Sequence, residues 1–253
     1  MAVIFYLSGS GNTLYAAQRA AQAWPGCRLE SMGGYLRHPY NIEDERVGIF
    51  YPTYCFDAPP LVMQFLEKLQ AQPRYCALIT TMGGKEGLAL YSCQQELLKK
   101  KLKVAYAQAI VMPDNFFKIP HTLREKLLTR SELLLTKLVT ALQEERLDVE
   151  AINSTSFFKR KVTQISWWGL EHVVKLQQLQ VDSERCIGCG LCEQICSVKN
   201  IHLEQGKPVF GNNCAHCLGC VHWCPQSAIR AGRIRVNEQS RYVHPRIKPS
   251  MFD

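Results

Sequence analysis

Eight of the twelve cysteines in this 253-residue chain fall between positions 186 and 224, in two runs of identical spacing. The first is Cys186-Ile-Gly-Cys189-Gly-Leu-Cys192-Glu-Gln-Ile-Cys196. The second is Cys214-Ala-His-Cys217-Leu-Gly-Cys220-Val-His-Trp-Cys224-Pro225. Each reads C-x2-C-x2-C-x3-C, a spacing in which one tight loop offers three thiolates to three irons of a cubane while the fourth cysteine reaches the neighbouring cluster. Cys186, Cys189, Cys192 and Cys224 are therefore assigned to one [4Fe–4S] cluster, and Cys214, Cys217, Cys220 and Cys196 to a second. The fourth cysteine of each run is expected to start a helix pointing away from the cluster of its neighbours. Zinc sites use pairs of C-x2-C and not repeated triplets with a fourth cysteine at fixed offset.

Details within the runs carry further expectations. Gly188, Gly190 and Gly219 suit close loop packing with backbone N–H groups free to bond cluster sulfurs. Cys224 is followed by Pro225, but Cys196 is followed by Ser197, which should loosen the surroundings of Cys196. His216 and His222 lie inside the second run and read as exposed loop histidines, with proton coupling at the cluster as the sharper alternative.

The remaining cysteines, Cys27, Cys55, Cys76 and Cys93, are scattered and read as buried or half-buried free thiols. A secreted, disulfide-stapled protein would be short, with cysteines throughout. The apolar start, Met1 to Leu7, lacks the basic flank and cleavage site of a signal peptide and reads as a strand, so a cytoplasmic location is expected. No apolar run approaches the ~20 residues of a bilayer span. An interfacial helix anchored by Trp167-Trp168 is the weaker reading of the segment around it. The net charge is +8, yet basic residues are dispersed apart from Lys159-Arg160-Lys161, and no nucleic-acid motif is present. A basic surface fits instead a redox protein partner, with an acidic one favoured by the field.

The first 150 residues alternate apolar runs with helical patterns. Val3–Leu7, Val47–Tyr51, Tyr75–Ile79 and Val104–Val111, with a weaker run at Arg28–Met32, suit strands buried on both faces. Leu14, Ala17, Ala21 and Trp24 share a helical face. So do Leu61, Phe65, Leu66 and Leu69, then Leu88, Tyr91, Leu97 and Leu98. A long amphipathic helix follows on Leu123, Leu127, Leu134, Leu138 and Leu142. The series implies a doubly wound α/β sheet of five strands. Residues 151–180 read as a connector: Asn153-Ser-Thr-Ser156 breaks the pattern, and Leu170, Val173, Val174, Leu176 and Leu179 suggest a short helix. Residues 181–235 form the cysteine domain and 236–253 a tail.

The first strand runs into Ser8-Gly9-Ser10-Gly11-Asn12-Thr13, with a helix behind it. A hydroxyl- and glycine-rich loop at a helix N-terminus is an anion site. A dinucleotide fingerprint would need a glycine where Leu14 stands, and a Walker A loop would need a lysine. Ser8, Ser10 and Thr13 can enclose a phosphate monoester with uncharged donors. This S-x-S-G-N-T pattern resembles the phosphate loop of flavodoxins. With the two cysteine runs, the chain resembles the bacterial flavodoxin–ferredoxin fusion proteins, the eubacterial flavodoxin/ferredoxin-related family. The resemblance implies a flavodoxin-like five-stranded parallel sheet followed by a small α+β bacterial-type 2[4Fe-4S] ferredoxin domain. It also implies FMN on the first domain, held by Ser8, Ser10, Gly11, Asn12 and Thr13.

Two more loops lie where a flavodoxin places the flavin ring: Pro52-Thr53-Tyr54-Cys55-Phe56 and Thr80-Thr81-Met82-Gly83-Gly84. Tyr54 is the first candidate for stacking and Phe56 the second, with Thr81, Met82, Gly83 and Gly84 along the ring edge. Pro113-Asp114-Asn115-Phe116 would shape the rim. None of these residues is an evident acid, base or nucleophile, so the hard chemistry would belong to the cofactors. The leading expectation is an electron-transfer protein moving single electrons between two clusters and FMN. A flavin-dependent reductase fed by the clusters, and a flavin-free sensing or binding module, are the alternatives.

Overall fold

The computed structural model describes residues 1–117, 119–152, 157–237 and 240–252. The five expected strands form one parallel sheet: β1 (Ala2–Tyr6), β2 (Arg28–Ser31), β3 (Arg46–Pro52), β4 (Tyr75–Met82) and β5 (Tyr106–Val111). Their order is β2-β1-β3-β4-β5, that of the flavodoxin-like doubly wound fold, which binds ligands at the carboxyl ends of the strands where the order reverses between β1 and β3. Side chains alternate across β1. Val3, Phe5 and Leu7 enter one core with α2 (Met32–Arg37), α3 (Pro60–Lys68) and α4 (Ala89–Lys99). Ala2, Ile4 and Tyr6 enter the other with α1 (Asn12–Ala21) and α5 (His121–Gln143). Both faces are covered, which is why the strands are apolar throughout.

Some local readings change. The helix α2 has two glycines and no apolar periodicity; it is held by Ser31, whose hydroxyl accepts from the Gly34 N–H at 3.0 Å. On α5 the buried face begins at Ser131 and continues through Leu135, Leu138 and Leu142, while Leu123 stays exposed. The expected break at Asn153-Ser-Thr-Ser156 lies outside the described residues. The connector helix forms earlier than the apolar pattern suggests: α6 spans Phe157–Trp168 and continues as a π-helical turn over Gly169–Val174. Of Leu170, Val173, Val174, Leu176 and Leu179, only Leu176 is buried.

The cysteine domain is small. β6 (Leu179–Val181) pairs antiparallel with β9 (Ile229–Ala231), and β7 (Ile201–Glu204) with β8 (Lys207–Phe210). Two short helices, α7 (Leu191–Gln194) and α8 (Gly219–Trp223), complete it. Cys196 and Cys224 lie just beyond the C-terminal ends of α7 and α8. The expectation that they start helices is corrected: the third cysteine of each run sits in the helix, and the fourth lies where the chain leaves it.

The two domains share their cores. Val198 and Ala215 pack into the α3–α4 side of the sheet, and Ile195, Trp223, Ile247 and Phe252 into the α1–α5 side. The tail thus returns across the first domain. Ser197 is not loosely held. It is buried, and its carbonyl accepts from the Arg37 guanidinium and lies against Gly33, where any Cβ would overlap it. Packing on α2 takes over the constraint that a proline would have supplied.

Candidate functional site

The eight cysteines line two separate cavities. Cys186, Cys189, Cys192 and Cys224 surround one, with Ile187, Pro208 and Pro225 in its wall. Cys196, Cys214, Cys217 and Cys220 surround the other, with Ile195, Val198 and Leu218. This is the crossed grouping read from the spacing. Backbone N–H groups point at sulfurs in both: Ala228 to Cys224 at 3.3 Å, Asn200 to Cys196 at 3.2 Å and His216 to Cys214 at 3.4 Å. Such contacts suit ligating sulfurs, which carry negative charge. As a free thiol Cys217 is pushed up to about 12 by burial, with the Cys214 sulfur adding to it. A thiolate there calls for a cation, which iron would supply.

The two cavities differ in access. Cys189 is exposed beside Ile187, which is 63% exposed, so the first cavity, here the outer one, faces solvent. The second, the inner one, is pressed against the first domain. The Cys217 carbonyl sits where a Cβ on Gly9 would be, and the Trp223 indole N–H donates to the Gly9 carbonyl at 2.9 Å in a buried contact.

The carboxyl ends of β1, β3, β4 and β5 carry a continuous hollow. Its polar end is walled by Ser8, Gly9, Ser10, Asn12, Thr13, Pro52 and Thr81. Its wider end is a cavity of about 460 Å³ bounded by Cys55, Phe56, Gly84, Phe117, Trp167 and Cys217. Thr53, Tyr54, Met82, Gly83, Asp114 and Asn115 line both parts. Gly11 adopts φ +94° before α1 and has His244 and Ile247 of the tail packed on it, so it forms the back of the loop.

The polar end fits a phosphate. The Ser8 hydroxyl is buried with no hydrogen-bond partner among the described residues, a state costing about 1–3 kcal/mol unless a ligand fills it. Thr13 and Thr81 share a 2.8 Å hydroxyl contact, and Asn12 donates to the Pro113 carbonyl at 2.8 Å while accepting from the Tyr242 hydroxyl at 2.6 Å. Among the described residues no lysine or arginine lines this end. Asp114, which does, accepts from the Phe116 and Phe117 N–H groups through one carboxylate oxygen. The wider end has the size and aromatic lining of a ring site. Tyr54 lines it, and burial together with the nearby Cys217 and Cys214 sulfurs holds its phenol well above its ordinary value. Phe56 is 42% exposed and stands at the rim.

Several residues of the site have no separate signal in the sequence. Trp223 reaches it through the docking of α8, Tyr242 and His244 through that of the tail, and Trp167 through that of α6. His244 stacks on Tyr15 with ring centroids 4.1 Å apart, and its backbone N–H donates to the Ser10 carbonyl at 2.8 Å. The expectation of exposed histidines in the second run is corrected. His222 is buried, its Nδ1 accepting from the Tyr242 N–H at 3.2 Å, and burial pushes it down to about 4. His216 is half-buried and lines both the inner cysteine cavity and the wider hollow. Cys76 and Cys93 are buried thiols, and Cys27 and Cys55 are half-buried.

Comparison with known proteins matches residues 179–202 to the 4Fe-4S binding domain family. A segment of 74 residues is 34% identical to the thiosulfate reductase electron transfer subunit PhsB of Salmonella typhi, covering 26% of this chain and 38% of that protein. The chain thus spans about two-fifths of that relative's length. Among solved structures, the flavodoxin of Megasphaera elsdenii aligns over 57% of this chain and 99% of its own, at 16% identity and TM-score 0.38. An azoreductase from Bacillus anthracis aligns over 57% and 100%, at 8% identity and TM-score 0.37. Likenesses this weak add nothing to the strand order, on which the flavodoxin-like fold rests. Among the described residues no helix is long and apolar enough to cross a membrane.

Proposed function

We propose that this chain is a one-electron transfer protein holding two [4Fe–4S] clusters and FMN. Cys186, Cys189, Cys192 and Cys224 hold the outer cluster, and Cys196, Cys214, Cys217 and Cys220 the inner one. Ser8, Ser10, Gly11, Asn12 and Thr13 hold the FMN phosphate. Thr53, Tyr54, Met82, Gly83 and Gly84 flank its ring, with Pro52 and Thr81 at the junction. Bound there, the flavin would exchange either one or two electrons, which lets a carrier of single electrons serve a two-electron acceptor.

The observation that carries this reading is the position of Cys217. With Leu176, His216 and Leu218 it lines the inner cysteine cavity and the wider hollow at once, and it is the one of the eight clustered cysteines that stands in the wall between the two proposed cofactors. The chain's part is to hold that wall rigid, through the Gly9–Cys217 contact and the Trp223 hydrogen bond, and to exclude water with Leu176 and Leu218. The outer cavity, with Cys189 exposed, is the face a protein partner would meet. The relative's name as an electron transfer subunit supports a redox protein as that partner. The basic net charge favours an acidic one, and rates of reduction by such a carrier should fall as salt rises. Rates unaffected by salt would discard that part.

The test is reduction of the bound flavin by a low-potential carrier under anaerobic conditions, in the wild type and in Cys196→Ser. Fast flavin reduction that is lost in the variant supports the reading. Equally fast reduction in a variant shown to lack the inner cluster overturns it.

A second reading, reduction of a small substrate at the flavin, draws on the size of the wider hollow and its wall from Phe117 and Trp167 on the side away from the phosphate loop. Turnover of a non-dye acceptor would establish it.

A further inference from the structure

The two cysteine runs are followed by matching segments, Cys196-Ser-Val-Lys-Asn200-Ile201 and Cys224-Pro-Gln-Ser-Ala228-Ile229. The backbones match as well. Lys199 and Ser227, each third after its cysteine, both have φ of 50°. The fourth residue then turns its N–H onto the cysteine sulfur, Asn200 to Cys196 at 3.2 Å and Ala228 to Cys224 at 3.3 Å. Only the cysteine and the isoleucine are the same in both; at the position whose N–H meets the sulfur, the first segment has the carboxamide of Asn200 and the second the methyl of Ala228.

That carboxamide is tightly placed. The Asn200 backbone carbonyl accepts from the Gly211 N–H at 2.8 Å, and the side-chain Oδ1 accepts from the Asn213 N–H at 2.6 Å. The Asn213 contact fixes which end of the amide is oxygen, because a flipped amide would set two donors against each other. The Nδ2 group is left with its two N–H donors. Asn200 is only 6% exposed, and among the described residues its Nδ2 is buried with no hydrogen-bond partner. The residue lines the inner cavity together with Cys196, Cys214, Cys217 and Cys220. A buried, unsatisfied amide donor is costly, and a fold that pins its oxygen keeps it there for a partner.

We propose that the Asn200 Nδ2 group donates to a sulfur of the inner cluster and raises its reduction potential relative to the outer one. The inference rests on the two-cluster reading above. The physical reason is that the one-electron reduced form carries one more negative charge, so a donor aimed at its sulfur favours that form. Ala228 offers the outer cluster no such side-chain donor. The donor thus offsets part of the penalty that enclosure places on the added charge, and makes the inner cluster a better acceptor than burial alone would leave it.

The experiment is a potentiometric titration of anaerobically purified full-length protein, followed by EPR, with iron counted in every sample. Two variants are used. Asn200→Leu removes the donor at similar size. Asn200→Asp keeps the acceptor for Asn213 and replaces the donor by a charge. The expected result is a lower midpoint for one cluster in each variant, with at least a tenfold change in its reduction equilibrium (~59 mV for one electron), a larger shift for Asn200→Asp, and no movement of the other cluster. Unmoved midpoints in variants that retain eight irons overturn the assignment of Asn200 alone. A wild-type measurement covers the case in which neither variant loads. Reduced protein carrying 15N only in asparagine side chains should show a 15N coupling to a cluster spin in pulsed EPR, and its absence overturns the assignment. A wild type that loads only one cluster overturns the two-cluster reading and this inference with it.

Discussion

The two cysteine-lined cavities come from near-identical runs, yet they sit in different surroundings. The outer one opens to solvent at Cys189 and Ile187 and, among the described residues, is lined by its own domain, with the start of the tail beside it, where Arg241 donates to the Cys224 and Pro225 carbonyls. The inner one is enclosed between the cysteine domain and the sheet. The loops differ to match. In the outer run the two left-handed positions are Gly188 and Gly190, with φ of 68° and 74°. In the inner run the same positions are His216 and Leu218, with φ of 55° and 57°. A side chain in that region costs about 1–2 kcal/mol, and here the cost accompanies side chains that fill the boundary: Leu218 is buried, and His216 lines the hollow. A repeated motif thus supplies the cysteine geometry, while the residues between the cysteines decide which copy lies open to solvent and which is set against the hollow.

The largest expected effect breaks the comparison outright. Cys196→Ser should empty the inner site and spare the outer one, although Cys196 belongs to the outer run in sequence; iron should fall by about half, in line with the crossed ligation. Loss of the outer cluster instead would show that each run serves itself.

Next in size is Gly9→Ala. The added Cβ overlaps the Cys217 carbonyl, backbone against backbone, so the domains must separate locally. A destabilisation of about 1–3 kcal/mol is expected in anaerobic denaturant unfolding, together with weaker FMN binding by fluorescence titration. Unchanged stability and FMN affinity in the Gly9→Ala variant would mean that the wall is soft.

A pH dependence should also fall on the inner side. His244 is pushed down to about 4 by burial, with the nearby Arg246 acting the same way and Glu132 opposing both. Its ordinary value is 6.5, so between pH 6.5 and about 4 the released tail takes up a proton that the docked tail refuses. Stability of tail docking should be flat above pH 6.5 and fall by up to about 1.4 kcal/mol per unit below it. Proteolysis of the tail against pH measures this, and His244→Gln should make the fall shallower, with His222 beneath Tyr242 contributing what remains. A wild-type profile flat from pH 7 to 5 would contradict it.

The smallest effect is that of Trp223→Phe, which removes the hydrogen bond to Gly9 and keeps most of the ring. About 1 kcal/mol is expected, read as a shift in thermal midpoint, with both clusters retained.

Much of this is legible in the sequence because the deciding signals are local. Cysteine spacing sets ligand grouping, continuous apolar runs set strands buried on both faces, and the Ser8–Thr13 loop lies directly between β1 and α1. What is not legible depends on the domain contact. The firm hold on Ser197 comes from Arg37 and Gly33, some 160 positions earlier in the chain, and the burial of His222 comes from Tyr242. Asn200 stands out only when the two runs are laid over each other and its amide is seen to be fixed by Asn213. The connector helix departs from its apolar pattern because, Leu176 apart, the side chains of that pattern are only half-buried or exposed.

The most direct test of the central claim is cofactor content in protein purified without oxygen: iron, acid-labile sulfide and flavin counted per chain. Two clusters and one flavin require eight iron, eight sulfide and one FMN per chain. Full clusters with no flavin bound, even after incubation with FMN, would contradict the account of the hollow, and half that iron would contradict the account of the two cavities.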